Sequence, residues 1–587
     1  MRIGRTCYAL GAVLVTAMLA GWPAVATAQL SRKPNEVLRV GFEASSAGPY
    51  SDADAARFLT QATFGATPED LARLRQLGYV AWIDAQMAAQ PSYQVPFLNW
   101  VAGRPAGQNA IQPAQRLESW FINALGLFDP SAPLRVHDDA LRQRVALALS
   151  EIFVVSDERS ALSEVPWATA SYYDMLVRNA FGNYRALLED VTLHPAMGVY
   201  LSMLGNRKPD PQNNTRPDEN YAREILQLFS IGLYELHPDG TRRLESGHPI
   251  ATYGQDVVRS FAHVFTGWHF SDCDAGEECA YAADDPVWRR SMHPIEIHHD
   301  SASAKQLLNY PGVALPGGLL AAGGDARQEL EAALDNVANH PNVGPFISRQ
   351  LIQRLVTSNP TPAYVQRVAA VFDDNGQGVR GDLGAVTRAI LLDVEARFGH
   401  TLALDSGFGK LREPLFKLTQ LWRLTHAASI NGRIDLRVDP NQEYGMAPLR
   451  SATVFNFYRP DFQPFGEIQT RGWAAPEFQV ATDRQLVSAP NDLYWRLFYF
   501  HLGSDYFYAQ DPDQLLIDYT ELMGLASTPA VLVDRLDLLL MSGQMSPYMR
   551  DVLLSHLGGM GNPNAGLDRV QQALYLILSS PEYSIQK

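Results

Sequence analysis

Apolar residues recur along this chain every three or four positions far more often than every two. Leu71, Leu74 and Leu77 follow Thr67-Pro68-Glu69-Asp70. Thr67 reads there as an N-cap, Pro68 as the first helical residue, and the two acids as first-turn residues facing the positive end of the helix dipole. Gly78 fits the C-terminal cap. Over 137–155, Leu141, Val145, Leu149 and Ile152 share one face. The same spacing predicts helices over 172–179, 184–192, 221–231, 255–266, 326–339, 343–356, 362–372, 384–392 and 414–424, with several more beyond Asp511. Strict alternation is scarce, and no strand–helix–strand series emerges. The pattern predicts a mainly α protein, a large multi-helical, bundle-like body with long irregular loops.

The first segment is patterned differently. Arg2 and Arg5 precede an apolar run over 8–20, and Ala26-Thr27-Ala28 supplies a small-x-small cleavage site before Gln29. Residues 1–28 read as a signal peptide for the general secretory route, which implies a periplasmic or secreted protein. The run is too short for a stable membrane span and is followed by Pro23. A linker over 29–50, a helical core over 51–430 and a C-terminal helical, aromatic-rich part over 431–587 packed on that core complete the expected organisation. No fixed-period repeat is present.

Composition narrows the function classes. The 587 residues carry 48 Lys+Arg against 63 Asp+Glu, a net charge of −15, with 46% hydrophobic and 19% charged residues. That is a globular composition, and its acidity argues against a nucleic-acid binder, which needs clustered cations. Cys7 leaves with the leader. Cys273 and Cys279, in a polar turn-forming stretch, then predict one local disulfide in an oxidising compartment.

Chemistry-bearing residues concentrate in three stretches. In 216–229, Asp218 is placed as N-cap, and Asn220, Arg223, Glu224 and Gln227 form a polar stripe, with Glu219 able to pair with Arg223. Carboxylates here suit either acid–base catalysis or simple capping and ion pairing. In 255–268, Asp256, Arg259, Ser260 and His263 share a face, while Val257, Phe261, Val264 and Trp268 share the apolar one. Asp256 and His263 stand two turns, about 10 Å, apart, too far for a dyad within one helix. In 296–300, His298, His299 and Asp300 are residue types that ligate zinc or iron, or they form a hydrogen-bonded loop. Lesser features read structurally. Asp373-Asp374-Asn375-Gly376 lacks the twelfth-position Glu of a calcium loop and reads as a turn leading to an Asp382 N-cap. His194 and His340 each follow a helix, where a cationic imidazole would suit the dipole. The aromatic cluster Phe455, Phe457, Tyr458 and Phe462 reads as core packing or as a sugar-stacking surface. No nucleophile elbow, phosphate-cradling loop or dinucleotide fingerprint is present.

Several blocks together resemble a family. These are Phe58-Leu-Thr-Gln-Ala-Thr-Phe64-Gly65 with Thr67-Pro68, His194-Pro-Ala-Met197, Asp218-Glu-Asn-Tyr-Ala-Arg-Glu224 with Leu228-Phe229-Ser-Ile-Gly232, Asp256-Val257 with Phe265-Thr-Gly-Trp268, His299-Asp300 before Lys305, and Lys410-Leu-Arg-Glu-Pro414. In this order they resemble the bacterial exported domain-of-unknown-function family numbered 1800, over roughly 55–587. The resemblance implies a mostly helical exported bacterial protein, often encoded beside a second exported family of sulfatase-like appearance, and brings no established reaction. The family's opening usually has arginine where Gln61 stands here, and 273–294 is an insertion particular to this chain.

The functional expectation is an exported, cofactor-independent hydrolase of a polymer such as a glycan. Glu224, Asp256 and Glu219 are its candidate catalytic carboxylates, with Asn220, Arg223, His263 and Trp268 at the substrate. The alternative is a non-catalytic partner of a neighbouring exported protein, its polar stripes serving as buried networks. A metal-dependent enzyme at His298, His299 and Asp300 is the most distant.

Overall fold

The structure, a computed structural model, describes residues 45–126, 138–158, 161–276, 279–402, 407–561 and 565–587. The expected signal peptide over 1–28 and the expected linker up to residue 44 lie outside the described residues. The protein is mainly α. Among the described residues the strands form antiparallel pairs of two residues each, including Trp268–His269 with His293–Pro294 and Lys410–Leu411 with Ile585–Gln586.

Local sequence explains many helix ends. Thr67 caps the Pro68–Ala88 helix by accepting from the Asp70 N–H at 3.1 Å. Gly78, with φ 77°, interrupts that helix where a cap is predicted, but the chain resumes helical geometry because the Tyr79 N–H finds the Gly48 carbonyl at 3.0 Å. Asp382 caps Leu383–Leu392 as predicted, through the Ala385 N–H. The dipole reading of the two histidines is corrected. His194 and His340 are buried, and burial lowers them to about 3 and about 4, so both are neutral rather than cationic at the helix ends.

One apolar cluster runs from Ala55 to Tyr583 and includes residues of both expected parts. In the Val343–Leu355 helix, Val343, Ile347, Leu351, Ile352 and Leu355 are buried, each side chain contributing roughly 1.5–3 kcal/mol. On the opposite stripe Phe346 and Arg349 reach the surface, while Gln350 and Gln353 are buried, Gln353 donating to the Ser358 and Pro460 carbonyls at 2.9 Å each. The C-terminal part is tied in by the Lys410–Gln586 strand pairing and by Arg433, whose guanidinium grips Glu118 at 2.7 and 2.9 Å. Gln61 is buried and accepts a hydrogen bond from Arg397. An arginine there would set two guanidiniums against each other, which accounts for glutamine at this position. No helix among the described residues is long and apolar enough to cross a membrane.

Candidate functional site

The Asn220–Gln227 and Gln255–Val264 helices pack against each other, but they do not pool the three predicted carboxylates. The first helix has Glu219 rather than Asp218 at its N-cap; Asp218 Oδ1 accepts from the Asn220 N–H at 2.7 Å from one residue further out, and Asn220 is exposed. Glu219 is held by Arg223 (3.0 Å), by Gln255 Nε2 (2.6 Å) and by Arg259 (3.8 Å), a surface web of the structural kind. Asp256 is exposed in the first turn of its helix. Glu224 is buried, its Oε2 without a hydrogen-bond partner. Burial raises its pKa against the pull of Arg223. Burial, and then the Glu224 charge, pushes Tyr200 and Tyr253 up to about 12.

His263 and Asp300, predicted for different roles, meet. His263 Nδ1 lies 2.6 Å from Asp300 Oδ2, and Ser303 donates to the same carboxylate. Thr266 bridges the two segments: its hydroxyl donates to the His263 carbonyl (2.7 Å) and accepts from the Asp300 N–H (3.0 Å). Lys305 donates to the Asp300 carbonyl (2.5 Å) and pairs with buried Glu329 at 2.7 Å. Glu329 also faces His299 Nε2 at 3.0 Å, while His299 Nδ1 faces the Thr266 carbonyl at 3.0 Å. Both ring nitrogens of His299 are thus engaged by the protein, and Asp300 serves His263. His298 sits apart on the Glu296–His298 turn. The structure does not assemble these three into a ligand set. Among the described residues, the trio whose ligand atoms do cluster is His269, Cys273 and Cys279, and its two sulfurs form the Cys273–Cys279 disulfide, with Cα atoms 5.8 Å apart. Trp268 is fully buried, its indole N–H unpartnered, so it presents no face for stacking.

A serine–histidine pair also emerges. Ser171 Oγ lies 3.2 Å from His194 Nε2, beside a cavity of about 340 Å³ that includes Asp174, whose pKa burial pushes up to about 7. His194 Nδ1, however, accepts the Ala196 N–H at 3.2 Å. The ring proton must then sit on Nε2 and point at Ser171, the wrong tautomer for taking a proton from the hydroxyl.

The richest arrangement is a cavity of about 630 Å³ between the end of the Ala140–Ser150 helix, the segment after Asn220–Gln227, the Val343–Leu355 helix and residues 454–461. Leu228, Ile231, Phe346, Val454 and Phe455 supply apolar wall. Gly232, with φ 71°, allows the close approach, since a Cβ there would meet the Phe346 ring at 2.8 Å. Glu151, the C-cap of Ala140–Ser150, reaches the floor. Its Oε2 accepts from the Tyr458 hydroxyl at 3.1 Å and lies 3.3 Å from Arg354 Nε, whereas its Oε1 has no partner. Beneath it, Lys410 bridges Glu413 (2.9 Å) and Glu477 (3.0 Å), with Arg144 at 3.9 Å from Glu413. Burial and then the Glu413 charge push Glu151 up to about 8, against the pull of Arg354, Lys410 and Arg144. Glu413 is itself held low because Lys410 and Arg144 outweigh its burial. Around the mouth stand Arg242, Arg349, Arg459 and Asp461.

None of Glu219, Glu224 and Asp256 lines this cavity. Sequence reasoning missed Glu151, Arg349 and Arg354. The available signals were an acid set between apolar neighbours at the end of the 137–155 pattern and the Lys410–Glu413 block. The Leu228–Gly232 block and the aromatic cluster also arrive here. Tyr458 is buried on the floor, and Phe455 stands half exposed on the wall.

The family model described as "Protein of unknown function (DUF1800)" matches residues 57–585. No curated protein and no solved structure matches the chain.

Proposed function

This chain belongs to the DUF1800 family, and we propose that it is an exported, cofactor-independent hydrolase that works in the 630 Å³ cavity, with Glu151 as general acid. The observation carrying this reading is the Glu151 carboxyl. It is pushed up to about 8, is therefore protonated near neutral pH, and belongs to a residue at the cavity floor whose Oε1 has no hydrogen-bond partner in the protein. A glycan unit is the proposed substrate, its ring stacked on half-exposed Phe455. Glu151 would give its proton to the leaving oxygen as the glycosidic C–O bond breaks. A water molecule forms the new C–O bond and passes its proton to Asp461 at the mouth. Exchange with solvent then resets both carboxyls.

The test is release of reducing ends from a broad panel of polysaccharides by purified wild type and by Glu151→Gln. A drop of at least about 100-fold in the variant is expected. No release from any polymer by wild type would sink the proposal.

A separate observation favours the partner reading. Trp495, Phe507, Tyr508 and Tyr548 expose large aromatic surface, with Phe507 at 79%. Stable co-purification with another exported protein would support that role, and passage as a lone monomer through a pull-down would remove it.

A further inference from the structure

We infer that the unit held in the 630 Å³ cavity is a negatively charged sugar, its carboxylate bound by Arg349 and Arg242 at the mouth. The inference rests on the proposed active site and specifies what enters it.

Three observations carry it. The first is unpaired positive charge in an acidic chain. Most arginines here are ion-paired, but among the described residues Arg242, Arg349 and Arg459 have neither a salt bridge nor a side-chain hydrogen bond, and all three face one cavity. Burial and the neighbouring Arg242 lower the Arg349 pKa, against the pull of Asp461. Both guanidiniums are exposed at the mouth with no carboxylate in salt-bridge contact, so an anion placed between them would gain two charge-assisted partners. The second is orientation. Arg242 lies over the Tyr234 ring at 4.8 Å, a cation–π contact that holds the guanidinium plane at the rim. The third is the open apolar wall, where half-exposed Phe455 stands with Leu228, Ile231 and Phe346. The apolar face of a pyranose ring packs on such a surface. A rim that binds carboxylate beside a wall that takes the apolar ring face describes an acidic saccharide better than a neutral one.

The experiment is calorimetric titration of the full chain with oligogalacturonate and hyaluronan oligosaccharides, and with cello-oligosaccharides as the neutral control, at two salt concentrations. An acidic oligosaccharide is expected to bind at least 10-fold more tightly than the neutral one and to weaken with salt. Arg349→Gln and Arg242→Gln are expected each to cost 10-fold or more in that affinity, while a thermal melt shows the fold intact. Glu151→Gln is expected to keep the binding and lose cleavage. Equal affinity for neutral and acidic oligosaccharides, binding unchanged in both arginine variants, or no acidic oligosaccharide bound would each overturn the inference. Salt-sensitive acidic binding without cleavage by wild type would uphold the anion site while removing the hydrolase reading, so the two fail separately.

Discussion

His263 Nδ1 lies 2.6 Å from Asp300 Oδ2, joining a helix residue to a loop residue 37 positions later. The contact fixes the imidazole tautomer, with Nδ1–H directed at the carboxylate and Nε2 toward the partly exposed side of the ring. It also anchors the loop that carries His299 and Lys305 into the Glu329 network. Asp300 is therefore a post on which two buried chains of hydrogen bonds hang.

Removing that post should destabilise the fold measurably. Asp300→Asn is expected to cost about 2 kcal/mol at neutral pH, the scale of a lost charged hydrogen bond, read as a lower urea midpoint. Burial alone would raise the Asp300 pKa, but the bonds from His263 and Ser303 and the Lys305 charge outweigh it and leave the carboxyl below its usual value. A depressed folded value contributes stability above the unfolded pKa, near ~4, which is lost as pH falls through the folded value. The wild-type and Asp300→Asn midpoints should accordingly converge below about pH 4. A gap that persists undiminished into that range would refute the ion-pair account.

Glu151 has the opposite sign. Its folded pKa of about 8 stands above the ordinary 4.5, so its contribution to stability is complete below the unfolded pKa and is lost as pH rises through the folded one. Across this window the wild type should lose up to about 1.4 kcal/mol per pH unit through this group, and Glu151→Gln should flatten the profile. Parallel profiles for the two proteins between those limits would contradict the assignment. The same titration bears on turnover: activity that needs the protonated acid should decline above about pH 8.

What the chain reveals without its structure follows contact range. The Thr67 and Asp382 caps, the helical stripes and the Cys273–Cys279 bridge were readable because each depends on residues within one or two turns. The Glu219–Arg223 ion pair was likewise legible at a spacing of four. His263 and Asp300 were each singled out, but their pairing was not, since nothing in local spacing brings the two together. Glu151 is further out of reach. It meets Arg354 203 residues later and Tyr458 307 residues later, and only the packed core sets those distances. Trp268 looked available for stacking because aromatic residues suit both cores and sugar faces; burial decided for the core.

Gly232 tests whether the cavity wall depends on backbone geometry. With φ 71° and the Phe346 ring 2.8 Å from where a Cβ would stand, alanine would suffer both left-handed strain and a clash. Gly232→Ala is expected to destabilise by about 1–3 kcal/mol and, by displacing Phe346, to weaken saccharide binding more than Gly240→Ala, whose Cβ meets Val365 at 3.0 Å instead. Equal effects of the two substitutions on binding would detach the Phe346 wall from ligand recognition.

Ser171 supplies the sharpest contrast with Glu151. Its hydroxyl sits 3.2 Å from a histidine nitrogen, the spacing of an activated nucleophile. His194 lacks the basicity and the tautomer for that task. Its pKa is lowered to about 3, first by burial and then by Arg178, and its Nδ1 is occupied as the acceptor that caps the Pro195–Tyr200 helix. The proton on Nε2 is donated to Ser171 rather than vacated for it. Ser171→Ala should therefore retain hydrolytic activity within about 3-fold while Glu151→Gln loses it. A fluorophosphonate probe should leave Ser171 unlabelled. Covalent labelling at Ser171 would show that the ring can turn, free Nε2 as a base and open a second, serine-dependent chemistry in the 340 Å³ cavity.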